Sequence, residues 1–282
     1  MISMKISYFP EYTAKNAQPV LKSFLQGCHA TGHTFAQNDM DADAVVIWSV
    51  LWNGAMASNE RIYRHYRSMD CPVIVIDVGT LNRNNTWKVA INNVNAAGHY
   101  AHTANLDWDR PTKLNITLGN NTSTNPRIVI AGQHHASLQV YKLPGIEEWI
   151  NDQITSIQQV TDRPITVRPH PRSRLDVAKL PKKINIELPR KMPGTYDSYD
   201  TNFDCHALVN YNSGPGICAA LTGVRPIVDC TSLAHPVSVQ LSDIENPYSQ
   251  DRDLWLVEIC HTEYTLQELE NGLWATRLAQ YL

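Results

Sequence analysis

The sequence predicts an α/β protein built from two Rossmann-like domains with parallel sheets. Three observations carry that reading. Short β-branched strands alternate with helices of amphipathic spacing between residues 4 and 77, and again between 127 and 229. A polar stretch rich in Asn and Thr, residues 80–125, separates the two series. The second series contains Val209-Asn210-Tyr211-Asn212-Ser213-Gly214-Pro215-Gly216, a strand that runs into a small-residue turn and then a helix. Such a turn brings backbone N–H groups close to an anion.

Taken in order, Met4–Phe9 reads as the first strand. Residues 16–28 have helical spacing, with Val20, Leu21, Phe24 and Leu25 on one face. Ala44–Trp48 is a buried-strand pattern, residues 59–69 a helix, and residues 72–77 a strand that is β-branched throughout its core. Residues 80–125 lack clear periodicity and are expected to be mostly loop. The second series runs as a strand from Arg127, a helix over 145–160, strands at 165–168 and 184–188, a strand at 207–210, a helix over 215–222 and a strand at 226–229. Residues 265–281 read as one amphipathic helix. The expected domains are 1–120, binding the acceptor, and 121–282, binding a nucleotide, with the last helix free to pack back on the first domain.

At 282 residues, with 43% hydrophobic and 18% charged residues, the chain has the composition of a globular protein, which excludes disorder. The net charge of −3 neither favours nor excludes a nucleic-acid partner, because a local patch can hide in the sum. No apolar run approaches the roughly 18 residues that span a bilayer, and residues 4–9 are too short for a secretory leader. A cytoplasmic protein with reduced thiols is expected. The six cysteines form no C-x-x-C pair, so a structural zinc is not expected.

Three clusters carry candidate chemistry. Arg168-Pro169-His170-Pro171-Arg172 closes a strand, and all three polar side chains can donate to phosphate oxygens. The alternative is a surface arginine pair beside a hydrogen-bonded core histidine. Gln133-His134-His135 follows another strand and reads as a ligand contact, a surface turn or, least of all, a metal pair. Asp77 ends a strand, where burial would raise its pKa and make it a better base; the alternative is a turn-capping Asp. Glu11 and Asp43 are weaker candidates for that role. Basic residues recur at Arg61, Arg64 and Arg67, and from Arg163 to Lys191, either as a lip for a polyanion or as solvated surface.

Four motifs carry a resemblance. They are Val78-Gly79…Arg83…Thr86-Trp87-Lys88, Gly132-Gln133-His134, Arg168-Pro169-His170-Pro171, and Asn212-Ser213-Gly214…Ala219-Ala220-Leu221-Thr222-Gly223-Val224-Arg225-Pro226. From about residue 72 onward the chain resembles phage-encoded GT-B glycosyltransferases. Its C-terminal half, with Asp251-Arg252-Asp253-Leu254-Trp255 and Tyr264…Trp274, is similar to capsular-polysaccharide transferases that use a CMP-activated sugar.

The resemblance implies two facing Rossmann-like domains, an inverting hexosyl or pentosyl transfer, and no metal or other cofactor besides a UDP- or CMP-linked donor. By the same resemblance Arg168 and His170 hold the donor phosphates, and Ser213 and Gly214 lie near the nucleotide. Gln133, His134, Arg172 and Asn212 complete the expected donor set. Glu11, Arg83, Trp87 and Lys88 form the expected acceptor set around the base Asp77, which stands where related chains commonly have Glu. The helix Pro215-Gly216-Ile217-Cys218 offers no carboxylate for a ribose. The phage likeness points to a hydroxymethylated pyrimidine in double-stranded DNA, flipped from the duplex, with Trp87 stacking on it or filling its place. A cell-surface or lipid-linked saccharide is the rival acceptor. A nucleotide-binding module without catalysis is the non-enzymatic rival.

Overall fold

The computed structural model describes residues 3–100, 105–195 and 198–282. The chain divides into two compact units, Met1–Ile116 with Val257–Leu282, and Thr117–Leu256. The expected division at residue 120 allowed the last helix to pack back on the first domain, and the C-terminal segment here belongs to the first unit.

The first unit begins with β1 (Lys5–Tyr8), α1 (Gln18–Ala30), β2 (Thr34–Gln37), β3 (Ala44–Trp48), α2 (Asn59–Ser68) and β4 (Val73–Val78). Next come β5 (Trp87–Ile91) and a single turn, α3 (Arg110–Lys113). The strand order β4-β3-β1-β2 is parallel throughout. Every residue of β3 is buried, which is why its five residues are all apolar.

The stretch expected to be mostly loop holds the strand β5 and the turn α3. Val89-Ala90-Ile91 is buried on both faces, so β5 lacks the alternation that marks a half-exposed strand. It pairs antiparallel with β4, so this sheet is mixed rather than purely parallel.

The second unit holds β6 (Ile128–Ala131), α4 (Ile146–Gln158), β7 (Ile165–Arg168), β8 (Asn185–Ile186), β9 (Ala207–Asn210), α5 (Gly214–Thr222) and β10 (Arg225–Val228). Its five strands are all parallel, in the order β10-β9-β6-β7-β8. Ile146, Trp149, Ile150, Ile154 and Ile157 form the buried stripe of α4 and pack against Ile128, Ile130, Val167 and Val209. Arg252 closes the C-terminal end of α5, donating to Ala220 O at 2.6 Å and to Gly119 O at 3.0 Å.

The chain leaves this unit through α6 (Asp253–Cys260) and adds β11 (Glu263–Tyr264), α7 (Leu266–Glu270) and α8 (Leu273–Leu278) to the first. β11 pairs antiparallel with β5. Trp274 is fully buried and stacks on Phe24 of α1, with ring centroids 4.2 Å apart. A side chain at Gly27 would run into the Leu269 carbonyl, so only glycine lets α7 dock there. The single helix expected over 265–281 breaks at Gly272, whose φ of 72° favours glycine. A reciprocal capping box between Thr265 and Glu268 starts α7.

Candidate functional site: the strand ends of each unit

In a parallel sheet a ligand crevice opens where consecutive connections diverge, outside the carboxyl ends of the strands. In the second unit the chain runs from β6 outward to β7 and β8, then returns to β9 on the other side of β6. The divergence therefore lies between the ends of β6 and β9, at Gly132-Gln133-His134 and Tyr211-Asn212-Ser213-Gly214.

The side chains there are neutral and tied together. Gln133 Nε2 donates to Asn212 Oδ1 and to Gln139 Oε1, both at 2.9 Å. Asn212 N donates to Gln133 Oε1 at 3.3 Å, and Asn212 Nδ2 to Thr231 Oγ1 at 2.8 Å. Thr231 Oγ1 in turn donates to Asp229 Oδ1 at 2.6 Å. One hydrogen-bonded chain thus spans the loops after β6, β9 and β10. Gln133 and Asn212 are buried and fully engaged, so they fix the loops rather than project toward solvent.

Ser213 Oγ bonds Asn210, not the helix, and no side chain caps α5. In the first turn of α5, Pro215 carries no N–H and Gly216 N donates to Ser213 O at 3.2 Å, so the Gly214 N–H is what the turn offers an anion, with the partial positive charge of the helix start behind it. Gly216 packs closely on β10: a Cβ there would lie 2.9 Å from Val228 Cγ1 and push that side chain aside.

His134 is 3% exposed. Its Nδ1 accepts from Ala136 N at 3.1 Å, which places the ring proton on Nε2. Burial first, then the charges of His135 and Arg172, push its pKa down to about 4, so the ring is neutral at pH 7. Nε2 is buried and has no hydrogen-bond partner among the described residues. The His134 ring stacks on His135 and stands edge-on to His170, with centroids 4.8 and 5.2 Å away. His170 Nδ1 accepts from Arg172 N at 3.2 Å, and the Arg172 side chain is exposed. His134, His170 and Arg172 thus gather between the ends of β6 and β7.

Arg168 does not join them. It is 4% exposed, ion-paired with Asp200 and set over the Phe203 ring. That partner holds one side of its buried guanidinium, while Nη1 has no hydrogen-bond partner among the described residues, so the expected phosphate role would compete with the Asp200 pair. The basic stretch is depleted in the same way: Arg163 pairs with Glu245, and Arg190 with Asp200.

In the first unit the connections diverge between β1 and β3. Asn59 Nδ2 ties the two strand ends, donating to Tyr12 O at 3.0 Å and Trp48 O at 3.1 Å. Glu11 is exposed in the turn after β1, while Asp43 accepts from Lys5 N in a turn and is structural. Asp77 lies near the end of β4. Its Oδ1 accepts from Val78 N at 2.7 Å and its Oδ2 from Ser49 Oγ at 3.1 Å. Burial raises its pKa against the opposing pull of these bonds and of Lys88 and Arg83. Lys88 is directly opposite Asp77 across the β4–β5 pair and is 7% exposed, so it is an internal cation rather than a rim residue.

Trp87 is not a loop aromatic. It is the first residue of β5, paired with Val78 and Tyr264 and packed against the core. A base-stacking role is therefore replaced by a structural one. Arg64 pairs with Glu60 on the exposed face of α2.

Four contributors have no sequence signal strong enough to find them: Asn59, Ser49, Glu263 and Asp229. Glu263 is fully buried and accepts from Thr80 N and Thr86 Oγ1, both at 2.6 Å, so it shapes the loop after Asp77. Its partners lie more than 170 residues away, beyond any local pattern. Among the described residues no three His, Cys, Asp or Glu side chains are grouped to hold a metal ion, and no helix is long and apolar enough to cross a membrane.

No family model and no curated protein matches the sequence. Solved structures do match. KpsC of Thermosulfurimonas dismutans, a β-Kdo 2,4 transferase, superposes with a TM-score of 0.57 at 12% identity, over 94% of this chain and 93% of its own. The β-Kdo 2,7 transferase of the same organism's KpsC gives 0.51 at 12% identity, over 97% and 99%. The fold is that of GT-B glycosyltransferases. At such identity the likeness carries the GT-B fold and leaves the chemistry to be argued from the residues.

Proposed function

We propose that this chain is a glycosyltransferase that moves a sugar from a nucleotide-activated donor to a hydroxyl acceptor with inversion. The observation that carries the reading is the neutral, hydrogen-bonded strand-end cluster of the second unit, which leads into the uncapped first turn of α5. Rigid amide and hydroxyl walls beside the Gly214 N–H suit a phosphate ester, because no fixed cation has to be released from a partner first.

In this reading the Gly214 N–H, His170 and Arg172 take the donor phosphate, and the Nε2–H of His134 donates to it. Asp77 is the base. Its raised pKa strengthens it as a proton acceptor, and Ser49 and Lys88 orient it. The acceptor oxygen attacks the anomeric carbon and loses its proton to the Asp77 carboxylate. The anomeric carbon–oxygen bond to the phosphate breaks, and its electron pair leaves with the phosphate. The cations and the amide around that phosphate do the work a divalent ion does in other transferases.

The acceptor we favour is a saccharide hydroxyl, as befits a fold shared with two β-Kdo transferases. A modified DNA base is the second reading, supported by the exposed cations Arg172, Arg174, Lys179, Lys182 and Lys183. The test is to incubate the protein with CMP-, UDP- and GDP-sugars, with either oligosaccharides or duplex DNA containing hydroxymethylcytosine, and to weigh the products. A mass gain on an oligosaccharide with nucleotide release supports the first reading. A gain on the nucleoside supports the second. Bound but intact donor with every acceptor leaves a binding module.

A further inference from the structure

The first unit places three charged side chains on one rung of its sheet. β5 lies between β4 and β11, and Lys88 is the register partner of Asp77 on one side and of Glu263 on the other. Residues directly opposed across antiparallel strands point to the same face, with Cβ atoms about 5 Å apart. The order across the sheet is therefore carboxylate, ammonium, carboxylate. Two neighbours share that face. Thr86, two residues before Lys88, donates through Oγ1 to Glu263 Oε2 at 2.6 Å. A Cβ on Gly79, two residues after Asp77, would lie 2.6 Å from the same oxygen.

The two carboxylates are bound unequally. Glu263 is fully buried, and Thr80 N, Leu81 N and Thr86 Oγ1 all donate to it, an arrangement for an ionised carboxylate fixed in place. Asp77 is half-buried and accepts from its neighbour Val78 N and from Ser49 Oγ. Lys88 is 7% exposed, yet its Nζ makes neither a hydrogen bond nor an ion pair among the described residues. A buried ammonium closes on a carboxylate within reach. Here two carboxylates draw it from opposite sides, and it closes on neither. Arg83, from the loop after β4, is the other cation that acts on Asp77, and Tyr100 is close enough to feel both carboxylates.

We propose that Glu263 is a positioning residue for Asp77: it holds the Lys88 ammonium back from the base, so that Asp77 keeps an unpaired carboxylate for the acceptor proton. The proposal rests on Asp77 being the base of transfer. Without the charge of Glu263 the ammonium has one anion of the rung left, and it closes on Asp77. A carboxylate paired in that way is a weaker proton acceptor. Lys88 in turn offsets the repulsion of two carboxylates on one rung. The C-terminal return of the chain thus acts on a base two strands away.

The experiment is a carbon-13 NMR pH titration of the full chain with labelled Asp and Glu carboxyls, the Asp77 resonance being the one lost in Asp77→Asn. Glu263→Gln, which keeps an acceptor oxygen for Thr80 and Thr86, is expected to lower the Asp77 midpoint by about one pH unit, and Lys88→Met to raise it by about one. In the Lys88→Met background, Glu263→Gln is expected to add no further shift. A midpoint that stays in place or rises in Glu263→Gln overturns the proposal, and so does a shift that persists without Lys88. Lys88→Met tests it without touching Glu263: an unmoved midpoint there shows that the ammonium does not act on Asp77. A loosened loop alone gives no shifts of opposite sign in the two variants. The titration needs no substrate, so the coupling can fail while Asp77 stands as the base. Normal turnover by Asp77→Asn would instead remove the base and leave the measured coupling in place.

Discussion

The strand ends of the two units are built on opposite electrostatic plans. In the second unit the loops after β6, β9 and β10 are joined by amides and hydroxyls, from Gln139 through Gln133, Asn212 and Thr231 to Asp229. In the first unit the end of β4 gathers charges instead: Asp77 with its raised pKa, buried Lys88 and fully buried Glu263. A network of amides and hydroxyls with one carboxylate at its end fixes geometry with little desolvation penalty, which suits holding a ligand. A carboxylate kept at a perturbed pKa opposes folding and suits proton transfer. The contrast is what the proposed reading, with binding in one unit and chemistry in the other, would require.

The largest effect should come from removing the charge at Asp77. Asp77→Asn is expected to lower transfer by about 10²–10⁴-fold, the range for general-base catalysis, with nucleotide affinity unchanged in calorimetry. The same variant should be more stable than wild type at neutral pH. A carboxyl whose folded pKa lies above its unfolded value stabilises the fold at low pH and loses that contribution as pH rises through the folded pKa. Normal turnover together with lowered stability would make Asp77 structural and erase the contrast.

Next is Glu263. Glu263→Ala strands two backbone N–H groups and the Thr86 hydroxyl. The expected loss is about 3 kcal/mol of folding stability, read from urea melts. A neutral result would mean that the loop after Asp77 holds itself.

Breaking the neutral chain should be milder. Gln133→Ala is expected to weaken nucleotide binding by about 1–2 kcal/mol, and its effect should be shared with Asn212→Ala. A double-mutant cycle checks this: full additivity would show that the two side chains do not act as one unit.

The fold was legible where burial and periodicity agree. Val73–Ile76 and Ile128–Ala131 announce themselves as strands, and the turn at Ser213–Gly216 as a helix start. β5 was hidden because burial on both faces removes alternation. The break in the C-terminal helix was hidden because Gly272 within a helical pattern also reads as a tolerated glycine. Among the candidate site residues, Asp77, His134, His170 and Ser213 are legible from their positions at or just past strand ends. Arg168 stands out equally, because a strand-end arginine looks the same whether it faces a ligand or, as here, an aspartate 32 residues on. Asp229 was passed over because its meaning depends on which strands are neighbours.

The smallest expected effect is on the pH dependence of stability. His134 and His261 are both pushed down to about 4 by burial. Each contributes stability that is present above the ordinary histidine value of 6.5 and is lost as pH falls toward 4. Urea midpoints should fall between pH 7 and pH 5, and His134→Gln should flatten the slope. An unchanged slope would place His134 in solvent.

The most direct test of a binding unit paired with a chemical unit is amide NMR of the full chain during titration with CMP and with UDP. The account predicts saturable shifts at Gln133, His134, Asn212, Ser213, Gly214 and Asp229, with Val73–Val78 unmoved by the nucleotide. Shifts confined to the ends of β1, β3 and β4, or none with either nucleotide at millimolar concentration, would contradict it.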